Sequence, residues 1–357
     1  MHIPDGYLSP STCAVTYAAA APFWYVSLRR LRRLLRSRMI PLISVFAAFS
    51  FVVMMFNLPL PGGTTGHAVG VSIASIVLGP WASILAISVA LVIQAVFFGD
   101  GGITTLGANC FNMAITGSLV AYAIYRAISR STPITSKRRV VAAGIAGYLA
   151  INVSALLAAV EFGIQPIFFK DAAGAPLYAP YPLKIAIPAM LAGHLTIAGL
   201  AELILSAGLV AWLQRSHLSL LRTTAPNTAE EAEGAGGFGW PAMRPMLIGL
   251  AILLLGTPLG ILAVGSAWGE WAPRDFANAA GRGQIAAVSA NQTPPAHAPL
   301  GLERLSSLWT APFPAYAPSF LRSPSFGYLL SAVFGAGLIL LMAAVADRIF
   351  ARRSGSG

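Results

Sequence analysis

The chain is divided into apolar runs near the length of helix that crosses a bilayer core, about 20 residues, which leaves little room for any fold but a helical membrane bundle. Nine runs are legible, near 11–28, 39–57, 67–79, 81–98, 107–127, 140–163, 182–213, 243–265 and 326–349. Only 10% of residues are charged, against about 25% in soluble domains. The expected fold class is therefore an all-α polytopic membrane protein. The third run is too short to cross at full thickness, and Gly79-Pro80 separates it from the fourth, so the pair is either a short helix plus a normal one or a bent hairpin. The seventh run is too long for one perpendicular crossing; it must tilt or protrude, and Pro188 can kink it.

The net charge of +11 does not mark a nucleic-acid binder, because the basic residues sit in short clusters between apolar runs rather than along one polar face. Such clusters stay cytoplasmic. With the N-terminus outside, 17 Lys and Arg fall inside and 6 outside, so the expected topology is N-terminus external, C-terminus cytoplasmic. Residues 223–242, polar and rich in Gly and Ala, read as a flexible cytoplasmic linker. They divide a seven-helix unit, 1–222, from a two-helix module, 243–357. The last two spans bracket an external segment, 266–325, expected to be a loosely folded loop with Trp268, Trp271, Trp309 and Tyr316 at the membrane interface. Cys13 and Cys110 lie far apart in apolar stretches and suggest neither a disulfide nor a thiolate metal motif. The opening MHIPDGYLSP has no basic region before an apolar core, so residue 1 is expected to be the mature terminus.

That terminus carries His2. A free α-amino group, the residue-2 amide nitrogen and an imidazole nitrogen of that residue can close a five- and a six-membered chelate ring around one metal. Three coplanar nitrogens suit Ni(II) or Cu(II) better than tetrahedral Zn(II). Taken alone, His2 reads more readily as a surface residue. His67 follows in NLPLPGGTTGHAVG, where Gly62, Gly63 and Gly66 remove bulk and would let another piece of chain approach. One more imidazole would complete a four-nitrogen plane; the bland alternative is a helix-start histidine bonded locally.

The opening MHIPDGYLSP, the loop GGTTGH and the segment GDGGITTLGANCFNMA together resemble the CbiM/NikM family, the substrate-capture subunits of energy-coupling-factor importers for cobalt and nickel. The likeness runs to about residue 222. It implies a metal held by Met1, His2 and His67, a transmembrane coupling subunit and two ATPase subunits as partners, and a bacterial inner-membrane location. It implies no permanent cofactor, only the transported Ni(II) or Co(II), and leaves the choice of metal open. The second module resembles the CbiN/NikN-type partner through TPLGILAVGSAWGEW, WTAPFPAYAPSF and FGYLLSAVFG, although a PDGLE-like signature is absent and APRDF at 272–276 is at best its remnant.

Asp100, Thr104, Thr105, Asn109 and Asn112 form a polar strip between the fourth and fifth spans, either orienting the imidazoles and the N-terminal loop or serving as caps and interhelical bonds; Asn57 has the same two readings. His194 and Glu202 share a face of the seventh span two turns apart, fit for a proton relay, a buried ion pair or a partner contact. His217 and His297 read as solvated surface, and small pairs such as Ala143 and Gly147 as close helix packing. There is no GxxxxGK[ST] phosphate loop, so ATP hydrolysis must come from partners. No HExxH, paired-carboxylate or nucleophile motif suggests an enzyme. The main rival to a capture subunit is a self-contained, proton-coupled secondary transporter using His194 and Glu202.

Overall fold

The structure is a computed structural model that describes residues 1–34, 39–60, 64–224, 244–263, 266–318 and 320–354. The linker expected at 223–242 lies outside the described residues from 225 onward, as do Gly62 and Gly63.

Helix α1, Pro10–Leu34, starts where Leu8-Ser9-Pro10 dictates. The Ser9 hydroxyl accepts the Thr12 N–H at 3.1 Å and proline takes the first helical position, whose N–H would be an orphan in any case. Next come α2, Ile40–Met54, and a short hairpin of β1, Leu58–Leu60, and β2, Thr64–Gly66, in antiparallel register Leu58 to Gly66. The third run then resolves as a short helix: α3, Val71–Leu78, is buried along its whole length. Its first turn begins four residues after His67, which leaves the histidine on the preceding loop. Helix α4, Pro80–Ile93, runs on through a π turn, Gln94–Phe98. Helix α5, Leu106–Asn109, passes through a second π turn, Cys110–Thr116, into α6, Gly117–Ser129. Helix α7, Lys137–Phe168, is capped by Ser136, whose hydroxyl accepts Arg138 N–H. The seventh run is one long rod, α8, Leu183–Gly193, joined by a third π turn, His194–Ala198, to α9, Gly199–Ser216.

Beyond the linker, α10, Arg244–Gly256, and α14, Pro324–Ser354, both pack on α2. Among the described residues five rods are long and apolar enough to cross a bilayer: Pro80–Phe98, Lys137–Phe168, Leu183–Ser216, Arg244–Leu262 and Pro324–Arg348. Inside the bundle, polar side chains bond across helices, as a low-dielectric interior requires. Ser83 links Ser75 at 3.2 Å and Ser118 at 2.9 Å, and Ser72 donates to the Ala143 carbonyl at 3.0 Å.

The segment between α10 and α14 is not the loose loop its composition suggested. It contains α11, Pro273–Ala277, α12, Ala279–Ala287, and α13, Leu300–Leu305. Trp268, Trp271, Phe276, Leu302 and Tyr316 are buried, and only Trp309 among the expected interface aromatics is exposed. The reason is an aromatic network: Phe162 meets both Tyr7 and Trp268 edge-on, and Tyr316 stacks on Phe98 at 4.7 Å. Residue Ala267 also pairs in parallel with Thr65, extending the β hairpin.

Candidate metal centre

Residues 1–9 do not lie on the surface; they plunge into the bundle, with Met1 3%, His2 1% and Ile3 0% exposed. Burying a strand-like segment obliges its backbone to find partners, and the polar strip supplies them. Asn109 accepts Ile3 N–H at 2.8 Å and donates to Ile3 C=O at 3.0 Å, and Thr105 Oγ1 also donates to that carbonyl. Asp5 accepts from Ile103 N–H at 3.0 Å and Thr104 N–H at 2.7 Å. Gly101 makes the approach feasible: its φ is +78°, and a Cβ there would sit 2.9 Å from Asn109 Nδ2 and 3.5 Å from the His2 ring.

His2 and His67 meet at the end of this segment, Nδ1 of His2 lying 3.3 Å from Nε2 of His67. Their tautomers follow from their other bonds. His67 Nδ1 faces the Ala68 carbonyl at 3.0 Å, an acceptor only, so it carries the proton and Nε2 presents a lone pair. Gln94 Nε2 donates to Asp100 Oδ2 at 3.3 Å and to Tyr316 OH at 3.0 Å, while Tyr316 OH donates to the same Asp100 oxygen at 2.6 Å. Gln94 therefore turns its Oε1 toward His2 Nε2, 3.3 Å away, which must be the protonated nitrogen of that ring. The His67 Nε2 lone pair, 3.3 Å away, and Asp100 Oδ1, 3.2 Å away, both face His2 Nδ1, so that position takes either a proton or a metal ion. Burial first, then the neighbouring His2 and terminal amine, hold the His67 imidazole well below the ordinary histidine range, which favours the neutral ring. Lone pairs aimed at each other repel unless a cation sits between them. Two nitrogens bound at right angles to one ion, each at about 2 Å, stand about 3 Å apart, so only a small closure is needed.

The terminal nitrogen of Met1 pairs with Glu270 Oε1 at 3.2 Å. A cavity of about 380 Å³ opens beside His2 and His67 and is lined by Asp5, Asp100, Glu270, Trp271 and Tyr316. Among the described residues no three His, Cys, Asp or Glu side chains group as a metal site.

Of the polar residues singled out from sequence, Asp100, Thr105 and Asn109 touch the N-terminal segment. Asn57 lines the cavity and forms no side-chain bond to either imidazole. Asn112 takes the interhelical one of its two readings and not the site-supporting one: its amide donates to Glu161 Oε2 of α7 at 2.7 Å from the π turn that follows Asn109. His194 and Glu202 form no ion pair with each other; His194 Nδ1 donates to Met190 C=O at 2.8 Å, and Glu202 binds the backbone of the His67 loop. Gln94, Glu270 and Tyr316 were missed. Gln94 had a readable signal as the lone amide in LVIQAVFF, whereas Glu270 and Tyr316 lie more than 200 residues from the segment they serve.

This arrangement, a helical membrane bundle with two facing imidazoles and a buried amino terminus, defines the class: a multi-pass membrane protein of metal transport. Residues 2–220 match the family described as CbiM, cobalt uptake substrate-specific transmembrane region, and the chain belongs to that family, with a fused C-terminal module. It is 57% identical over 340 residues, 95% of each chain, to the fused nickel transport protein NikMN of Rhodobacter capsulatus. It is 32% identical over 274 residues, 76% of this chain and 74% of the other, to the cobalt transport protein CbiM of Geobacter sulfurreducens. A solved structure titled as a truncated transition metal transporter superposes with a TM-score of 0.57 at 46% identity, covering 61% of this chain and all of that one.

Proposed function

We propose that this chain is the metal-capturing subunit of an ATP-driven importer for Ni(II) or Co(II). The ion is taken up at the external face by the Met1 amine, the His2 amide nitrogen, His2 Nδ1 and His67 Nε2. The observation that carries this reading is the pair of imidazole nitrogens, His2 Nδ1 and His67 Nε2, 3.3 Å apart beside a buried amino terminus. Met1, His2 and His67 then bind the ion directly, while Asp100, Thr105 and Asn109 hold the segment in place.

Four nitrogens in a plane favour Ni(II) over Co(II), in keeping with the nickel assignment printed for the fused relative. The chain has no phosphate loop of its own, so hydrolysis falls to two ATPase subunits acting through a transmembrane coupling subunit. We assign capture to residues 1–222 and a covering role to 243–357, with the amino terminus external and the carboxyl terminus cytoplasmic, an orientation that the distribution of Lys and Arg supports.

The test is calorimetry with Ni(II) and Co(II) on the purified full chain and on a form with one extra residue before Met1. The extra residue moves the amine out of chelating distance, so it should abolish tight binding of both ions. Unchanged affinity would refute the donor set.

A further inference from the structure

Glu202 is absent from the donor set, yet it is wholly buried in α9 and reaches across to the loop that carries His67. Its Oε2 accepts Val69 N–H at 2.7 Å and Gly70 N–H at 2.9 Å, two and three residues after that histidine. These donors stand at the amino end of α3, where backbone N–H groups lack helical partners and the dipole favours an anion. Gly70, the N-cap, has no side chain with which to cap its own helix. Nor can one be added, since its φ is +73° and a Cβ would lie 2.6 Å from the Phe49 ring. The cap therefore comes from another helix. The fit is close on the other side as well: a Cβ on Gly147 of α7 would come within 3.2 Å of Glu202 Cγ. The direction of the His67 ring is set by this same turn, because its Nδ1 bonds to Ala68 C=O.

We propose that Glu202 is a positioning residue for metal capture: by clamping Val69 and Gly70 it fixes the turn that aims His67 Nε2 at His2. This role rests on the capture reading above. It also separates Glu202 from a proton relay with His194, for which the unpartnered Glu202 Oε1 and His194 Nε2 would be the exchanging atoms. A positioning residue needs only an acceptor oxygen at the right reach, whereas a relay needs an ionisable group.

The experiment is Ni(II) calorimetry on the purified full chain, comparing wild type, Glu202→Gln, Glu202→Asp, Glu202→Ala, His67→Ala and the Glu202→Ala/His67→Ala double variant. Glu202→Ala should weaken binding by roughly 10–100-fold, the range for lost supporting partners of a metal ligand. Glu202→Gln keeps an oxygen at the same reach and should stay within about threefold, since one neutral acceptor replaces a charged one. Glu202→Asp keeps the charge but shortens the reach and should bind more weakly than Glu202→Gln. In the His67→Ala background, Glu202→Ala should cost nothing further, because residues acting through one ligand do not add.

Wild-type affinity in Glu202→Ala, additive losses in the double variant, or the order Asp above Gln would each overturn the assignment. Unchanged affinity in His67→Ala is the distinct result that brings down the capture reading itself, and this role with it.

Discussion

The N-terminal segment is held between two regions that work differently, the cradle at residues 100–109 and the cap at residues 266–316. The cradle grips backbone: Asn109 and Thr105 take both the N–H and the C=O of Ile3, and the turn at 103–104 holds Asp5. The cap touches ends: Glu270 meets the terminal nitrogen, Tyr316 meets Asp100 and Gln94, and Tyr7 OH donates to Trp271 C=O at 2.7 Å. Backbone bonds fix register, and register decides whether His2 arrives opposite His67 at all. End contacts adjust orientation once register is set. The Glu270 side chain is also 22% exposed, so solvent screens its pairing with the amine, while Thr105 and Asn109, which hold Ile3, are buried.

This contrast predicts an order of effects on Ni(II) affinity. His2→Ala removes a donor and should exceed any loss from supporting residues, more than about a hundredfold, measured by competition with a chromogenic chelator. Asn109→Ala leaves the buried Ile3 N–H without a partner, at about 1–3 kcal/mol, and the Ile3 carbonyl with Thr105 alone. It should cost roughly 10–100-fold and lower the thermal midpoint in detergent. Glu270→Gln keeps an acceptor for the amine and loses only a partly solvated charge, so a loss below about tenfold is expected, consistent with 0–1 kcal/mol for exposed pairs. Tyr316→Phe is the mildest change: Gln94 still bonds to Asp100, and a loss of a few-fold corresponds to about 1 kcal/mol for one hydrogen bond. A larger loss from Glu270→Gln than from Asn109→Ala would break the distinction, because the cap would then be setting register.

Much of the bundle was legible because bilayer thickness and apolar run length are tied by simple geometry. The pairing of His2 with His67 was visible only through the resemblance of the opening segment and the GGTTGH loop to a known family; by themselves the two histidines read as a surface residue and a locally bonded one. The π turns were not legible, although they decide which way Gln94 and Asn112 face. A one-residue widening of a helix leaves no mark on hydropathy, and it sent Asn112 to Glu161 rather than to the segment. The cap was misread because Pro and low apolar content describe a segment without a core of its own. Trp268, Trp271 and Tyr316 instead complete a core with Tyr7, Phe98 and Phe162 of the preceding bundle. The spacing of Glu202 from His194 was visible and left a relay, an ion pair and a partner contact open, while the partners Glu202 takes are backbone amides that no sequence pattern displays.

The central claim is that one ion sits among nitrogens from the first two residues and His67. X-ray absorption at the metal edge of the nickel-loaded full chain tests it most directly. The account predicts four nitrogen neighbours at about 2 Å in a planar array, with outer-shell scattering from two imidazoles. A six-coordinate environment dominated by oxygen, or scattering from a single imidazole, would contradict it.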